Sequence, residues 1–125
     1  TEVLAQADIL SLHCPLNDST RGLIGADAIA RMKPGALLLN AARGPVVDTA
    51  ALAAALHAGH LGGAGIDVFE AEPPLPADHP LLHTPNTIVT PHVAFATAQS
   101  MEKRAAIVFH SLDCWLSGEQ INKIL

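Results

Sequence analysis

Three side chains in this sequence could together move a proton beside an anion, and each follows the end of an apolar run. Arg43 leaves Leu37-Leu38-Leu39 through Asn40-Ala41-Ala42 and is followed by Gly44-Pro45. Its guanidinium is permanently charged and presents a planar fork that fits a carboxylate with two parallel hydrogen bonds. The small residues before it let a ligand come close to the backbone. Glu72 follows Val68 in Phe69-Glu70-Ala71-Glu72-Pro73-Pro74, and His92 follows Val89 in Thr90-Pro91-His92. A carboxylate beside an imidazole favours the protonated ring and fixes its tautomer, which tunes a histidine as acid or base. Anion fork, base and base-orienting group are what a reaction at an alcohol or carbonyl next to a carboxylate requires.

Plainer readings stand beside these. A loop arginine can serve a surface ion pair, Glu70 and Glu72 can be solvated loop acids, and a lone histidine is more often structural than catalytic. Asp67, at the end of the run that begins at Gly63, can bind a cofactor amide or cap a turn. Of the seven histidines, His57, His60, His79 and His83 read as solvated groups in loops or at helix ends.

The elements that must position these groups alternate between strand-like and helix-like. Thr1 to Ala7 reads as the end of a helix, and Asp8 to Leu12 as a strand followed by a loop with Pro15, Asn17, Asp18 and Ser19. Gly25 to Met32 reads as a short helix stopped by Lys33-Pro34-Gly35. Ala36 to Leu39 is apolar without alternation, the pattern of a strand buried on both faces. Asp48 can cap a helix ending near Gly59. Ala64 to Val68 reads as a second buried strand, a proline-rich loop runs from Phe69 to Pro85, and Thr87 to Val89 is a short strand. Thr97 then caps the longest helix, whose Met101, Ala105, Val108, Leu112 and Trp115 form one apolar stripe suited to core packing or a subunit seam.

Strands joined through helices run parallel, so the expected fold is α/β: part of a Rossmann-like doubly wound sheet with flanking helices and a long C-terminal helix. In such sheets ligands bind beyond the carboxyl ends of the strands. Arg43, Glu72 and His92 each lie three or four residues past such an end, so one crevice can gather them.

With those residues in view, the sequence resembles the D-isomer-specific 2-hydroxyacid dehydrogenase family over almost all of its length. Leu12-His13-Cys14-Pro15-Leu16 with Thr20 is similar to the family's loop near the cofactor's adenosine and diphosphate. Asn40 to Asp48 with Ala51-Leu52 resembles its arginine signature, Gly65 to Phe69 with Glu72-Pro73 its glutamate signature, and Thr90-Pro91-His92 its histidine signature. The resemblance implies that Arg43 holds the substrate carboxylate and carbonyl oxygen, His92 carries the hydroxyl proton, and Glu72 tunes His92. It places Asp67 at the nicotinamide end of NAD with Ala41, Ala42 and Ala94 nearby, and Cys14, Pro15 and Thr20 along the adenosine and diphosphate end. The related formate dehydrogenases carry Gln where Glu72 stands, so Glu72 points to 2-hydroxyacid or 2-ketoacid chemistry.

The chain departs from the family in lacking the Gly-x-Gly-x-x-Gly phosphate loop and the acid about 20 positions beyond it that reads the ribose, so NADP is not excluded. Residues 1–125 therefore read as the C-terminal part of a dinucleotide-binding domain, without the glycine-loop half or the substrate domain. Because the sequence starts at Thr1 in mid-pattern, it reads as cut from a longer protein, with little or no turnover by itself. Two other readings compete: a dinucleotide-sensing corepressor or scaffold of the same fold, and an inactive truncated product.

Composition narrows the classes further. Half of the 125 residues are apolar but only three are Phe, one Trp and none Tyr, a palette that suits helices on a parallel sheet. The formal charge is −5 and the seven Lys and Arg are scattered, which argues against nucleic acid or an anionic membrane as partner. Apolar runs are too short to span a bilayer and no charged leader opens the chain. Cys14 and Cys114 match no metal or redox spacing and read as reduced thiols. The expected setting is the cytoplasm and no metal is expected, while the family resemblance implies a homodimer.

Overall fold

A computed structural model describes residues 2–71 and 74–123. The chain divides into two units, residues 1–93 and residues 94–125. The first carries the sheet: β1 (Ile9–Leu12), β2 (Leu37–Asn40), β3 (Gly63–Ile66) and β4 (Thr87–Val89), with helices α1 (Glu2–Gln6), α2 (Ala26–Ala30) and α3 (Thr49–His57) between or before them. The strands lie in the order β1-β2-β3-β4 and all pair parallel, as the alternation of elements requires.

The register sets up everything that follows. Leu12 pairs with Asn40, Asn40 with Ile66, and Ile66 with Val89, so the four carboxyl ends are level. Neighbouring strands lie about 5 Å apart. The loops that leave β2, β3 and β4 therefore start from one rim of the sheet, side by side.

Local sequence explains the helices. Asp48 accepts the backbone N–H of Ala51 at 3.0 Å and caps α3, satisfying one of the donors that a helix start leaves open. At its other end Gly59, with φ of 69°, takes the left-handed turn that releases the chain toward β3. Leu52, Ala53 and Leu56 of α3 and Ile29 of α2 meet Leu38, Ala64 and Ile66 of the sheet in one core, with Val46, Val47 and Leu81 closing it. Each fully buried leucine contributes about 1.5–3 kcal/mol.

One expectation is corrected here. β2 is not buried on both faces: Leu38 and Asn40 point into the core, whereas Leu37 and Leu39 are 38% and 39% exposed. The second face of the sheet carries Ile9, Leu37, Leu39 and Ile88, and no helix described in the first unit covers it. A run of leucines looks alike whether one face or two is packed, because nothing polar alternates with it. Gly65 sits where a Cβ would come within 2.9 Å of the Leu39 side chain, so the β2 leucines lean over a β3 made of small residues.

The second unit is α4 (Ala98–Leu116), the longest helix. Thr97 accepts the Ser100 N–H at 3.1 Å while the Ser100 hydroxyl takes the Thr97 N–H at 3.1 Å, a reciprocal cap. Arg104 stacks over Phe95 at 5.3 Å. The apolar stripe of α4, with Met101, Val108, Leu112 and Trp115, is not packed within its own unit. No helix among the described residues is long and apolar enough to cross a membrane.

Candidate active site

The site is best built outward from Asn40, the last residue of β2 and 2% exposed. A buried amide must use its donors and acceptors, and this one does so locally. Its Oδ1 accepts the Ala42 N–H at 3.1 Å and its Nδ2 donates to the Arg43 carbonyl at 3.0 Å. The two bonds curl Ala41-Ala42-Arg43 back over the strand end. The Arg43 side chain is exposed, with one guanidinium N–H donated to the Ala42 carbonyl at 2.7 Å. Ala41 is exposed and Ala42 buried.

Asp67, 5% exposed, occupies the equivalent place after β3. Its N–H donates to the Asn40 carbonyl at 2.9 Å, joining the two loops at their roots. Its carboxylate accepts the Thr90 hydroxyl and, at 2.9 Å, the Val93 N–H, and its own carbonyl accepts the His92 N–H at 2.8 Å. Of the two alternatives left by the sequence, turn capping is what these contacts display. His92 is half-buried and has φ of 58°, a left-handed backbone unusual for a residue with a Cβ, held by the bonds to Asp67. Hydrogen bonds thus run from Arg43 through Asn40 and Asp67 to His92.

Glu72 lies outside the described residues. Of the cofactor residues expected after β1, Cys14 is half-buried, Pro15 exposed and Thr20 half-buried. The Thr20 hydroxyl donates to the Pro15 carbonyl at 2.7 Å and accepts the Asn17 N–H at 2.9 Å, so it shapes the loop. Ala94 is exposed and belongs to the second unit. β1 and β2 are neighbours, so the Cys14-Pro15 and Ala41-Ala42 segments put small, largely uncharged surface at adjacent strand ends. That surface fits a flat dinucleotide lying against backbone. Among the described residues no three His, Cys, Asp or Glu gather into a metal-binding group, and both cysteines are free.

Several structural participants escaped the sequence reading. Asn40 was visible only as the first letter of a motif; the useful signal was a lone polar residue ending an apolar strand. Gly44 was visible only as the residue after Arg43, and its part is in packing. A Cβ there would lie 2.0 Å from the carbonyl atoms of Phe69 and 2.6 Å from the Glu70 nitrogen, so the arginine loop rests directly on the backbone that leads to Glu72. Two of the four histidines read as solvated are not. His60 bonds the Ile29 carbonyl at 3.0 Å, and the His79 side chain, 12% exposed, meets Glu70 at 3.4 Å and the edge of Phe69 at a centroid distance of 5.3 Å. Glu70 also accepts the Thr49 hydroxyl. Burial pushes the Glu70 carboxyl up, but bonds from Thr49, from its own backbone N–H and from His79 hold it below the usual glutamate value.

Known proteins agree with this architecture. Residues 1–94 match the family model described as D-isomer specific 2-hydroxyacid dehydrogenase, NAD binding domain. A glyoxylate reductase from Thermofilum pendens is 44% identical over 94% of this chain, which spans 34% of that protein. The crystal structure of D-lactate dehydrogenase with NAD+ from Lactobacillus jensenii superposes with a TM-score of 0.87 at 39% identity, over 99% of this chain and 41% of that one. A D-isomer specific 2-hydroxyacid dehydrogenase from Xanthobacter autotrophicus, solved with NADPH and MES, gives 0.78 at 41% identity, over 98% and 50%. The sheet with its level carboxyl edge is thus the Rossmann-type arrangement of such dehydrogenases. The chain belongs to the D-isomer specific 2-hydroxyacid dehydrogenases, and its first 94 residues carry the pattern of their NAD binding domain.

Proposed function

We propose that this chain supplies the C-terminal part of the dinucleotide-binding domain, and the catalytic Arg43, Glu72 and His92, to an enzyme that interconverts D-2-hydroxyacids and 2-ketoacids. The observation that supports this reading is the level rim, where the Arg43 and His92 loops share roots in Asn40 and Asp67. The Arg43 fork holds the substrate carboxylate and draws charge onto the oxygen at C2. His92 removes the hydroxyl proton on oxidation and returns it on reduction, and Glu72 stabilises the imidazolium between those events. NAD, with NADP the alternative, would supply the hydride chemistry at C2 when bound. Cys14, Pro15, Thr20, Ala41, Ala42 and Ala94 would line that cofactor, and Asp67, Arg43 and His92 would border its nicotinamide end. The partner in this reading is a small 2-hydroxyacid or 2-ketoacid. A homodimer fits the apolar stripe of α4, and the scattered basic residues fit a cytoplasmic enzyme without nucleic acid.

The test joins this chain to the remaining segments of the Thermofilum pendens glyoxylate reductase. Reduction of glyoxylate is followed at 340 nm with NADH and, separately, NADPH. His92→Ala and Arg43→Ala are each expected to lower turnover by at least about a hundredfold. A near-normal rate in either variant removes that residue from its role.

A further inference from the structure

Glu70 is an acid that the proposed chemistry does not use, yet its contacts join three segments. Its Oε1 accepts the hydroxyl of Thr49, the first residue of α3 and six positions beyond Arg43. Its Oε2 faces His79 Nε2 at 3.4 Å across the neck of the loop that contains Glu72. Directly behind it, the Phe69–Glu70 backbone lies against Gly44 so closely that no Cβ fits between them. His79 is held from the other side by the edge-on Phe69 ring.

The ring chemistry fixes the sense of these bonds. Nδ1 of His79 is buried with no partner among the described residues, and a buried N–H without an acceptor costs more than a bare ring nitrogen. A ring with its proton on Nε2 donates it to Glu70. With the Thr49 hydroxyl on the other oxygen, each carboxylate oxygen of Glu70 has a partner from a different segment. Arg21 and Asp48 border the same recess, but neither bonds to Glu70.

From this geometry we infer that Glu70 is a positioning residue, a bridge from Thr49 to His79 that closes the neck of the Glu72 loop and fixes it against the arginine loop. The inference rests on the proposed role of Glu72. It adds that the segment leading to Glu72 is tied to the arginine loop at Glu70, a side chain to which the proposed reaction assigns no part.

The test uses the chimera above, with glyoxylate and NADH. Glu70→Ala and Thr49→Val are expected to lower kcat about tenfold to a hundredfold and to move the pH profile of kcat/KM in the same direction as Glu72→Gln. KM for NADH stays unchanged, Thr49→Ser restores the profile, and Glu70→Ala with Thr49→Val together are no worse than the poorer single variant. A wild-type pH profile in Glu70→Ala, alongside a shifted one in Glu72→Gln, overturns the bridge and leaves the proposed function standing. A wild-type rate and profile in Glu72→Gln overturns the proposed function itself. Hydrogen exchange on the 125-residue chain gives a second readout, independent of turnover. Glu70→Ala should speed exchange at His79 and Val46, whose N–H groups are bonded to the Pro76 and Arg43 carbonyls, while Leu52 and Leu56 of α3 keep their protection. Equal exchange in the two proteins overturns the bridge.

Discussion

Replacing Gly44 with alanine is the most direct trial of how the arginine loop is seated. The backbone at Gly44 is not in the left-handed region, so a methyl group meets no conformational objection there. Its cost comes from the neighbour alone. The new Cβ would stand 2.0 Å from both carbonyl atoms of Phe69, whereas carbon atoms settle about 3.5–4.0 Å apart, so the two segments must separate by roughly 1.5 Å. Neither partner is a flexible side-chain end that could swing away; both are backbone, Gly44 at the start of a 3-10 turn and Phe69 three residues past β3. Overpacking of this kind costs about 1–3 kcal/mol, and the upper end applies because backbone must move. Gly59→Ala is the control: φ is 69° and nothing lies within 4 Å, so only the left-handed penalty of about 1–2 kcal/mol remains. Urea unfolding followed by circular dichroism at 222 nm reads the difference. With a slope of about 1–3 kcal/mol per molar, Gly44→Ala should lower the midpoint by about 1–3 M and Gly59→Ala by about half as much. In the chimera, a displacement above 1 Å at Arg43 should also cost about a hundredfold in kcat/KM. A Gly44→Ala protein as stable as Gly59→Ala, or more so, would refute the reasoning.

Two further expectations concern neighbouring groups. Asn40→Ala leaves the Ala42 N–H without a partner and the Arg43 carbonyl with the Val46 N–H alone, and the same urea titration should show a loss of about 1–3 kcal/mol; a loss well under about 1 kcal/mol would mean that water replaces the amide. Glu70 has a folded-state pKa below its ordinary value, so its stabilisation is present above that ordinary value and disappears as pH falls through the depressed one. The stability gap between the parent and Glu70→Gln should therefore be wider at pH 7 than at pH 3, and a gap that does not change with pH contradicts the assigned contacts.

Sequence reading served well wherever one residue answers one local requirement. Asp48 and Thr97 announce helix starts, Gly59 a helix end, and the alternation of strands with helices leaves a parallel sheet as the sole economical result. From that sheet the common rim of Arg43 and His92 followed at once. Contacts between segments distant in sequence stayed hidden. Nothing near Gly44 reveals that Phe69 lies on it, and nothing near His79 reveals Glu70 and Phe69 around its ring. The Leu37–Leu39 run failed for a different reason: an all-apolar strand carries no mark of which face is covered.

The Arg43–Asn40–Asp67–His92 series of hydrogen bonds has a bearing on selectivity. It joins the backbone under Arg43 to the backbone under His92, so the two roots move as one piece. Under the proposed roles the two roots keep one separation, so an acid whose hydroxyl sits one carbon further from its carboxylate should be turned over more slowly than a 2-hydroxyacid.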